Sequence, residues 1–170
     1  NQAAVVMGTV QTQQEVFSAI AEQLKQLDIS CMLFPIDESQ DKLYTRFMSF
    51  DSAALNAVEK LVGIKRGDFS FPIDAVNIYR KVGREKKTLF VGNSEQTIHQ
   101  ILPKLTKKLS ARIIKLLHVQ KSISAPLMVE DRVIGVSSVL SCTKSLEDVP
   151  AITAFADQLS SAWNKIGLLQ

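Results

Sequence analysis

The stretch SAPLMVEDRVIGVSSVL at residues 124–140 decides the fold. Two apolar runs flank the polar tripeptide 130–132, which is the pattern of a β-hairpin with a short loop. Asp131 is expected in the left-handed turn position, because a short side chain that bonds its own backbone tolerates that conformation. Both faces of the second run are largely apolar, so protein is expected to cover both. Gly135, inside that run, predicts a bulge or the close approach of another group.

The composition describes one globular domain. The chain has 170 residues, of which 46% are hydrophobic and 22% charged, and this length suits a single domain over residues 1–170. No apolar run approaches the roughly 18 residues of a membrane span, and the first residues lack the pattern of a secretory signal. A cytoplasmic location without membrane insertion is therefore expected. Because the chain starts at Asn1 and stops inside a helical pattern at Gln170, we expect a piece of a longer multidomain protein.

Both ends of the chain carry helical apolar stripes. Apolar residues recur at spacings of seven, three, four and three within residues 10–27, and at alternating spacings of three and four within residues 152–169. Such narrow stripes are typical of helices that pair with other helices. The side chains expected to serve a dimer or a signal relay are Phe17, Leu24, Phe155, Leu159, Ala162, Trp163 and Ile166. The stripe does not say whether the same chain or a second copy buries it.

Between these helices the patterns predict an α+β domain with a largely antiparallel sheet of five to six strands. Strands are predicted at residues 29–36 and 42–50, joined by a polar loop of about five residues. A helix at residues 53–62 has Asp51 as its N-cap and an apolar stripe, which includes Leu55 and Val58, on its buried side. A second helix, with a stripe of leucines and isoleucines, is predicted at residues 104–118.

Positive charge is concentrated in one segment. Residues 96–129 contain no Asp or Glu, and they carry six cations: Lys104, Lys107, Lys108, Arg112, Lys115 and Lys121. Such a stripe weakly favours an anionic ligand or an acidic partner surface. Nucleic acid is not expected as a partner, since no aromatic side chains alternate with the cations to stack on bases.

The hairpin stretch and the segments around it together resemble a known domain family. The hairpin stretch, followed after a short gap by SLEDVPAITAFADQLSSAWNKIGLL, resembles the C-terminal half of a GAF domain. The upstream order is similar too, with a leading helix before ISCMLFPID and a helical wall around DAVNIYRKVGREKKTLFV. The resemblance covers about residues 10–169. It implies a central antiparallel sheet with helices on both faces and with the terminal helices packed together.

The resemblance also implies a function. GAF domains are sensory modules of larger signalling proteins, and this chain looks most like those that precede bacterial or archaeal histidine kinase cores. A non-enzymatic module is therefore expected, which binds a small molecule or a partner over the sheet and relays the signal through its terminal helices to adjacent kinase or sensor domains. A homodimer is the expected assembly.

The expected ligand pocket follows from the same resemblance. Phe71, Tyr79 and Phe90 come from elements that wall the cavity in the family, and Ser124, Ser137 and Val139 are hairpin positions expected to face it. Buried hydroxyls need partners, which a ligand or the backbone can supply, and the aromatic residues equally suit a filled core. The cyclic-nucleotide signature and the Cys-His pair of bilin-binding relatives are both missing from the sequence. The cofactor, if any, stays unidentified.

Two alternative functions remain open. Cys31 and Cys142 would serve a thiol-based reductase of the free methionine sulfoxide reductase type, although that enzyme uses a cluster of cysteines over the pocket. A structural dimerisation spacer is the other alternative, and it predicts a filled core. His99 and His118 lie in separate predicted helices without the ligand spacing of a metal centre, so neither a metal site nor a catalytic residue is predicted.

Overall fold

The computed structural model describes residues 12–65, 67 and 69–169. In chain order the elements are α1 (Gln13–Gln26), β1 (Ser30–Pro35), β2 (Lys42–Tyr44), β3 (Phe47–Met48), α2 (Ser52–Val62), β4 (Ser70–Pro72), α3 (Asn77–Glu85), β5 (Leu89–Val91), α4 (Glu95–Ile101), α5 (Lys107–Leu117), β6 (Lys121–Val129), β7 (Arg132–Ser141) and α6 (Val149–Leu169). Short 3₁₀ turns at Ile73–Ala75 and Leu146–Asp148 precede α3 and α6.

Five strands form one antiparallel sheet in the order β3-β1-β7-β6-β5, with helices on both faces. This confirms the predicted α+β class and the largely antiparallel sheet. The single strand predicted at residues 42–50 is divided in two, since β2 pairs with β4 in a small second sheet whereas β3 pairs with β1. At the division, both the amide and the hydroxyl of Thr45 donate to the Phe69 carbonyl, at 3.1 and 2.8 Å.

The predicted hairpin is formed by β6 and β7, the longest strands of the sheet. Val129 pairs with Arg132, which leaves Glu130 and Asp131 as a two-residue loop. The left-handed residue is Glu130, with a φ of 57°, and the prediction of Asp131 was wrong. Two-residue hairpin turns place a positive φ at the first loop position, so the register selects Glu130 despite its longer side chain.

Gly135 combines the two features that the sequence predicted as alternatives. The β6–β7 register shifts between Leu127 and Met128, which leaves Ile134 as an extra residue on β7 and forms a bulge. A Cβ atom on Gly135 would lie only 2.6 Å from the Phe34 carbonyl oxygen. A side chain at this position would therefore force β1 and β7 apart.

The α1–α6 face of the sheet, which is the face that those two helices cover, holds a closely packed core. The Phe47 ring centroid lies 5.5 Å from that of Phe17 on α1 and 4.7 Å from that of Trp163 on α6. Cys31 and Leu33 of β1 point into the same core. The terminal helices thus pack together and on the sheet, as the family resemblance implied.

Side-chain caps fix two of the helices that cover the opposite face. Asp51 Oδ2 accepts a hydrogen bond from the Ala54 amide at 3.2 Å, and α2 ends at Gly63 with a left-handed φ of 71°. Thr106 Oγ1 accepts from the Leu109 amide at 3.2 Å. The Thr106 cap makes α5 begin three residues later than the predicted start at residue 104.

Candidate functional site: a cavity opposite the terminal helices

The face of the sheet opposite α1 and α6 carries a cavity of about 160 Å³, and we call it the cavity face. Met32 and Phe34 of β1 and Leu140 of β7 form the floor. They alternate along their strands with residues that point toward α1 and α6, because successive side chains of a strand point to opposite faces. The floor is therefore built from the same two strands that support the terminal helices.

Three helices wall the cavity with their apolar stripes. Residues spaced by three or four along a helix share one face. The stripe residues that line the cavity are Leu55, Val58 and Val62 on α2, Ile98 and Ile101 on α4, and Ile113 and Leu117 on α5. The cavity is consequently lined mainly by hydrocarbon.

A chain of three buried hydroxyls lies at the floor. The Oγ atoms of Ser124 and Ser138 are 2.7 Å apart, and Ser138 Oγ donates to Tyr79 Oη at 3.3 Å. Tyr79 lines the cavity. Burial raises the pKa of Tyr79 to about 12, although the hydrogen bond from Ser138 opposes that rise. The phenol therefore stays protonated and neutral at physiological pH.

Charged groups contribute little to the lining. Two lining side chains in the described ranges are charged. Lys65 is exposed to solvent, and Glu59 is half-buried on α2. None of the six cations in residues 96–129 lines the cavity. The basic stripe from which an anionic ligand was inferred therefore lies elsewhere on the surface.

The structure brings three of the six predicted pocket residues to this side of the sheet. Tyr79 lines the cavity, and Ser124 is linked to it through Ser138. The Phe71 ring packs against Phe34 and Tyr79, with centroid separations of 5.7 and 5.9 Å. Phe71 therefore supports the lining residues from behind.

The other three predicted pocket residues point to the opposite face. Ser137 pairs with Leu33, which belongs to the core under α1 and α6. Val139 pairs with Cys31 of the same core and, on its other side, with Ile123, which in turn pairs with Phe90. Paired residues of antiparallel strands share a face, so all three lie away from the cavity. Each is displaced by one residue from a position on the cavity face of the sheet.

Most cavity-lining residues were not among the predicted site residues. The apolar stripe of α2 was recognised from the sequence as a buried side, and this was the available signal for Leu55 and Val58. Spacing shows that a stripe is buried, but it does not distinguish a filled core from a cavity wall. Met32 and Phe34 gave no signal, since they lie in a run with apolar residues on both faces.

The residues predicted for a dimer or a signal relay are mostly buried within their own chain. Phe17, Leu159, Trp163 and Ile166 are buried, Leu24 and Phe155 are half-buried against the same core, and Ala162 is exposed. Trp163 packs on Phe47 rather than facing solvent. The side of α6 around Ala162 remains exposed to solvent.

The two thiols occupy unlike surroundings. Cys31 is buried under the terminal helices, and burial raises the pKa of its thiol to about 11. Cys142 is exposed, and its Sγ donates to the His118 carbonyl at 3.3 Å. Neither thiol lines the cavity, and neither does His99 or His118. Within the described ranges no group of three or more His, Cys, Asp or Glu side chains is arranged to hold a metal ion.

Comparison with known families agrees with this architecture. Residues 11–163 match the family model of the GAF domain, so the chain belongs to the GAF family. GAF domains are generally regulatory, non-catalytic sensory domains. No curated protein matches the chain. Among the described residues, no helix combines the length and the apolar character needed to cross a membrane.

Solved structures show the same fold at low sequence identity. Residues 122 to 287 of a methyl-accepting chemotaxis protein share 18% identity, with a TM-score of 0.64 over 98% of this chain and 97% of that one. A GAF domain/HD domain protein from Geobacter sulfurreducens shares 15%, with a TM-score of 0.64 over 95% and 97%. A domain assigned to a two-component sensor histidine kinase of Sinorhizobium meliloti 1021 shares 14%, with a TM-score of 0.55 over 92% and 93%.

Proposed function

We propose that this GAF domain is the sensory module of a cytoplasmic signal-transduction protein, that a small effector binds in the cavity, and that the output is an adjacent histidine kinase core. The observation that carries the proposal is the placement of the cavity and the terminal helices on opposite faces of the same strands. Similarity to the Sinorhizobium meliloti sensor kinase domain supports the choice of output.

The relay runs through the thickness of the sheet. Met32 and Phe34 line the cavity, while Cys31 and Leu33 on the same strand pack under α1 and α6. Packed cores move between discrete arrangements, and small shifts of packed helices are an established form of switching. An effector that binds one arrangement of the floor more tightly therefore shifts the position of α6.

A homodimer through the exposed side of α6 completes the proposal. It is tested by Ala162→Cys in a Cys142→Ser background, since Cys142 is itself exposed. Lys60→Cys, at an exposed position on α2, is the matched control. We expect oxidation to give a crosslinked dimer of the full-length protein for Ala162→Cys but not for Lys60→Cys. A monomer for both variants would contradict the dimeric arrangement.

Effector binding is tested by filling the cavity. Val58 lines the cavity, so Val58→Phe places a ring inside it, whereas Ala53→Phe adds the same ring on the exposed side of α2. In the full-length protein we expect Val58→Phe to change the autophosphorylation rate several-fold and Ala53→Phe to leave it unchanged. Mass spectrometry of the protein purified from its host is expected to show a bound small molecule. An unchanged rate together with no bound molecule would exclude the proposal.

A further inference from the structure

The volume of the cavity indicates the size of the group that fits inside it. At about 160 Å³ it is close to the roughly 150 Å³ engineered cavity that stays dry and binds benzene. An occupant of this size has on the order of six to nine non-hydrogen atoms. This corresponds to one aromatic ring with a small substituent, or to a short hydrocarbon chain of the same size.

The lining limits the charge of the occupant. An ionised group inside a hydrocarbon cavity loses its hydration, which is strongly unfavourable without a buried partner of opposite charge. The exposed Lys65 stays in water, and the half-buried Glu59 already takes part in an interaction within the chain. The hydroxyls of Thr45 and Ser94 already donate to backbone carbonyls, at 2.8 and 3.2 Å. An uncharged occupant suits this lining.

The Tyr79 hydroxyl of the lining has an unused hydrogen. Tyr79 Oη accepts a hydrogen bond from Ser138. In the described part of the chain no hydrogen bond uses the Tyr79 hydroxyl as the donor. A buried hydroxyl is more stable when its hydrogen meets an acceptor. A carbonyl or ether oxygen on an occupant would provide that acceptor.

Resting on the proposed function, we infer that the effector is a compact, uncharged, mainly apolar molecule, either one aromatic ring or a hydrocarbon of similar size, with one oxygen that accepts a hydrogen bond from Tyr79. The anionic character expected from the basic stripe does not apply to the buried part of this effector. The hydrocarbon walls provide most of the affinity, and Tyr79 provides orientation and selectivity.

Three small probe molecules test separately how shape, charge and hydrogen bonding affect binding in the cavity. Acetophenone, isopropylbenzene and benzoate match in number of non-hydrogen atoms, but only acetophenone is both uncharged and an acceptor. Binding is read from the ¹³C-methyl NMR signals of the methionines in the 170-residue chain. Met32 and Met48 line the cavity, whereas Met128 lies outside it and serves as an internal control. We expect acetophenone and isopropylbenzene to shift the signals of Met32 and Met48 but not that of Met128.

The variants then assign the contacts. We expect benzoate to bind at least tenfold more weakly than acetophenone. Val58→Phe should abolish binding of both uncharged probes, whereas Ala53→Phe should leave it unchanged. Tyr79→Phe should weaken acetophenone binding by about three- to tenfold, which is the value of one hydrogen bond, and should leave isopropylbenzene binding unaltered.

Two outcomes would overturn the inference. The first is tighter binding of benzoate than of acetophenone, with loss of that binding in Lys65→Ala, because it would show an anionic effector and leave the proposed function standing. The second is no shift of Met32 or Met48 with any probe. If mass spectrometry of the native protein still finds a bound molecule, the second outcome excludes only the proposed chemical class of the effector. If it finds none and Val58→Phe leaves kinase output unchanged, the proposed function fails as well.

Discussion

The two faces of the sheet differ in how completely they are filled. On the α1–α6 face, the rings of Phe17, Phe47 and Trp163 interlock with centroid separations of 5.5 and 4.7 Å. On the cavity face, about 160 Å³ stays unfilled although its lining is equally apolar. Close packing is the normal state of a protein interior. The filled face therefore provides the larger share of folding stability, and the other face keeps space for an occupant.

The hydroxyl groups of the two faces differ as well. On the α1–α6 face, the Oγ atoms of Ser137 and Ser160 donate to the carbonyls of Ala125 and Ala156, at 3.2 and 2.7 Å. On the cavity face, the Oγ atoms of Ser124 and Ser138 bond to each other, and this chain of hydroxyls ends at Tyr79. Ser137 and Ser160 thus donate to backbone carbonyls, whereas the chain that ends at Tyr79 leaves one donor hydrogen for an additional partner.

The largest effect is expected from the loss of the indole on the filled face. Trp163 is 6% exposed, and its ring meets Phe47 edge-on. Trp163→Ala should lower the free energy of unfolding by about 4 kcal/mol, measured by urea denaturation followed by circular dichroism. Trp163→Phe retains an aromatic ring and is expected to lose clearly less. A loss below about 1 kcal/mol for Trp163→Ala would show that this face is not the packed one.

A matched pair of leucines compares the two faces directly. Leu159 on the α1–α6 face and Leu55 at the cavity are 3% and 6% exposed, so their burial is nearly equal. Leu159→Ala should cost about 4 kcal/mol and Leu55→Ala about 2 kcal/mol, because a side chain beside a void has fewer contacts to lose. Equal losses in urea denaturation would argue that the cavity is filled in solution.

The third prediction concerns Gly135 on β7, a strand whose side chains are buried on both faces of the sheet. Gly135→Ala would put a Cβ atom 2.6 Å from the Phe34 carbonyl oxygen, whereas the same change at Gly92 meets nothing closer than 3.7 Å. We expect Gly135→Ala to lower the free energy of unfolding by about 2 kcal/mol and Gly92→Ala to change it by less than about 0.5 kcal/mol. Thermal denaturation of the pair checks this, and similar melting temperatures would contradict the close approach of β1 and β7.

The fold was largely predictable because its signals are local. The hairpin, the Asp51 cap and the helical stripes each depend on residues within a few positions of one another. The turn residue was mispredicted because side-chain preference favours Asp131, while the register, which depends on pairing along both strands, places Glu130 first in the loop. Local preference therefore located the loop but not its backbone conformation.

The candidate site was less predictable, because it depends on which face each strand residue takes. Alternation assigns a face only when one side is polar, and β7 is buried on both sides. Ser137 and Ser138 are thus equivalent in the sequence, yet one points under α6 and the other bonds to Tyr79. The empty space itself results from the packing of α2, α4 and α5 over the floor of the cavity. No local sequence pattern indicates such a space.

The smallest effect concerns the hydroxyl that distinguishes the cavity face. Tyr79→Phe should lower the free energy of unfolding by about 1 kcal/mol at neutral pH, since Ser138 retains its bond to Ser124. Burial raises the pKa of Tyr79 from 10.0 to about 12 in the folded state. Well below pH 10 both states keep the proton, so the hydroxyl adds no pH dependence there.

Between pH 10 and 12 the unfolded chain loses this proton while the folded chain keeps it, and the stability of the native protein falls as the pH rises. Urea denaturation across this range should therefore show a steeper decline for the native protein than for Tyr79→Phe. Tyr44→Phe, at a half-buried tyrosine outside the cavity, is the matched control and should keep the native decline. Parallel declines for the native protein and Tyr79→Phe would mean that water reaches the phenol, and the cavity would then be hydrated rather than held dry for an apolar effector.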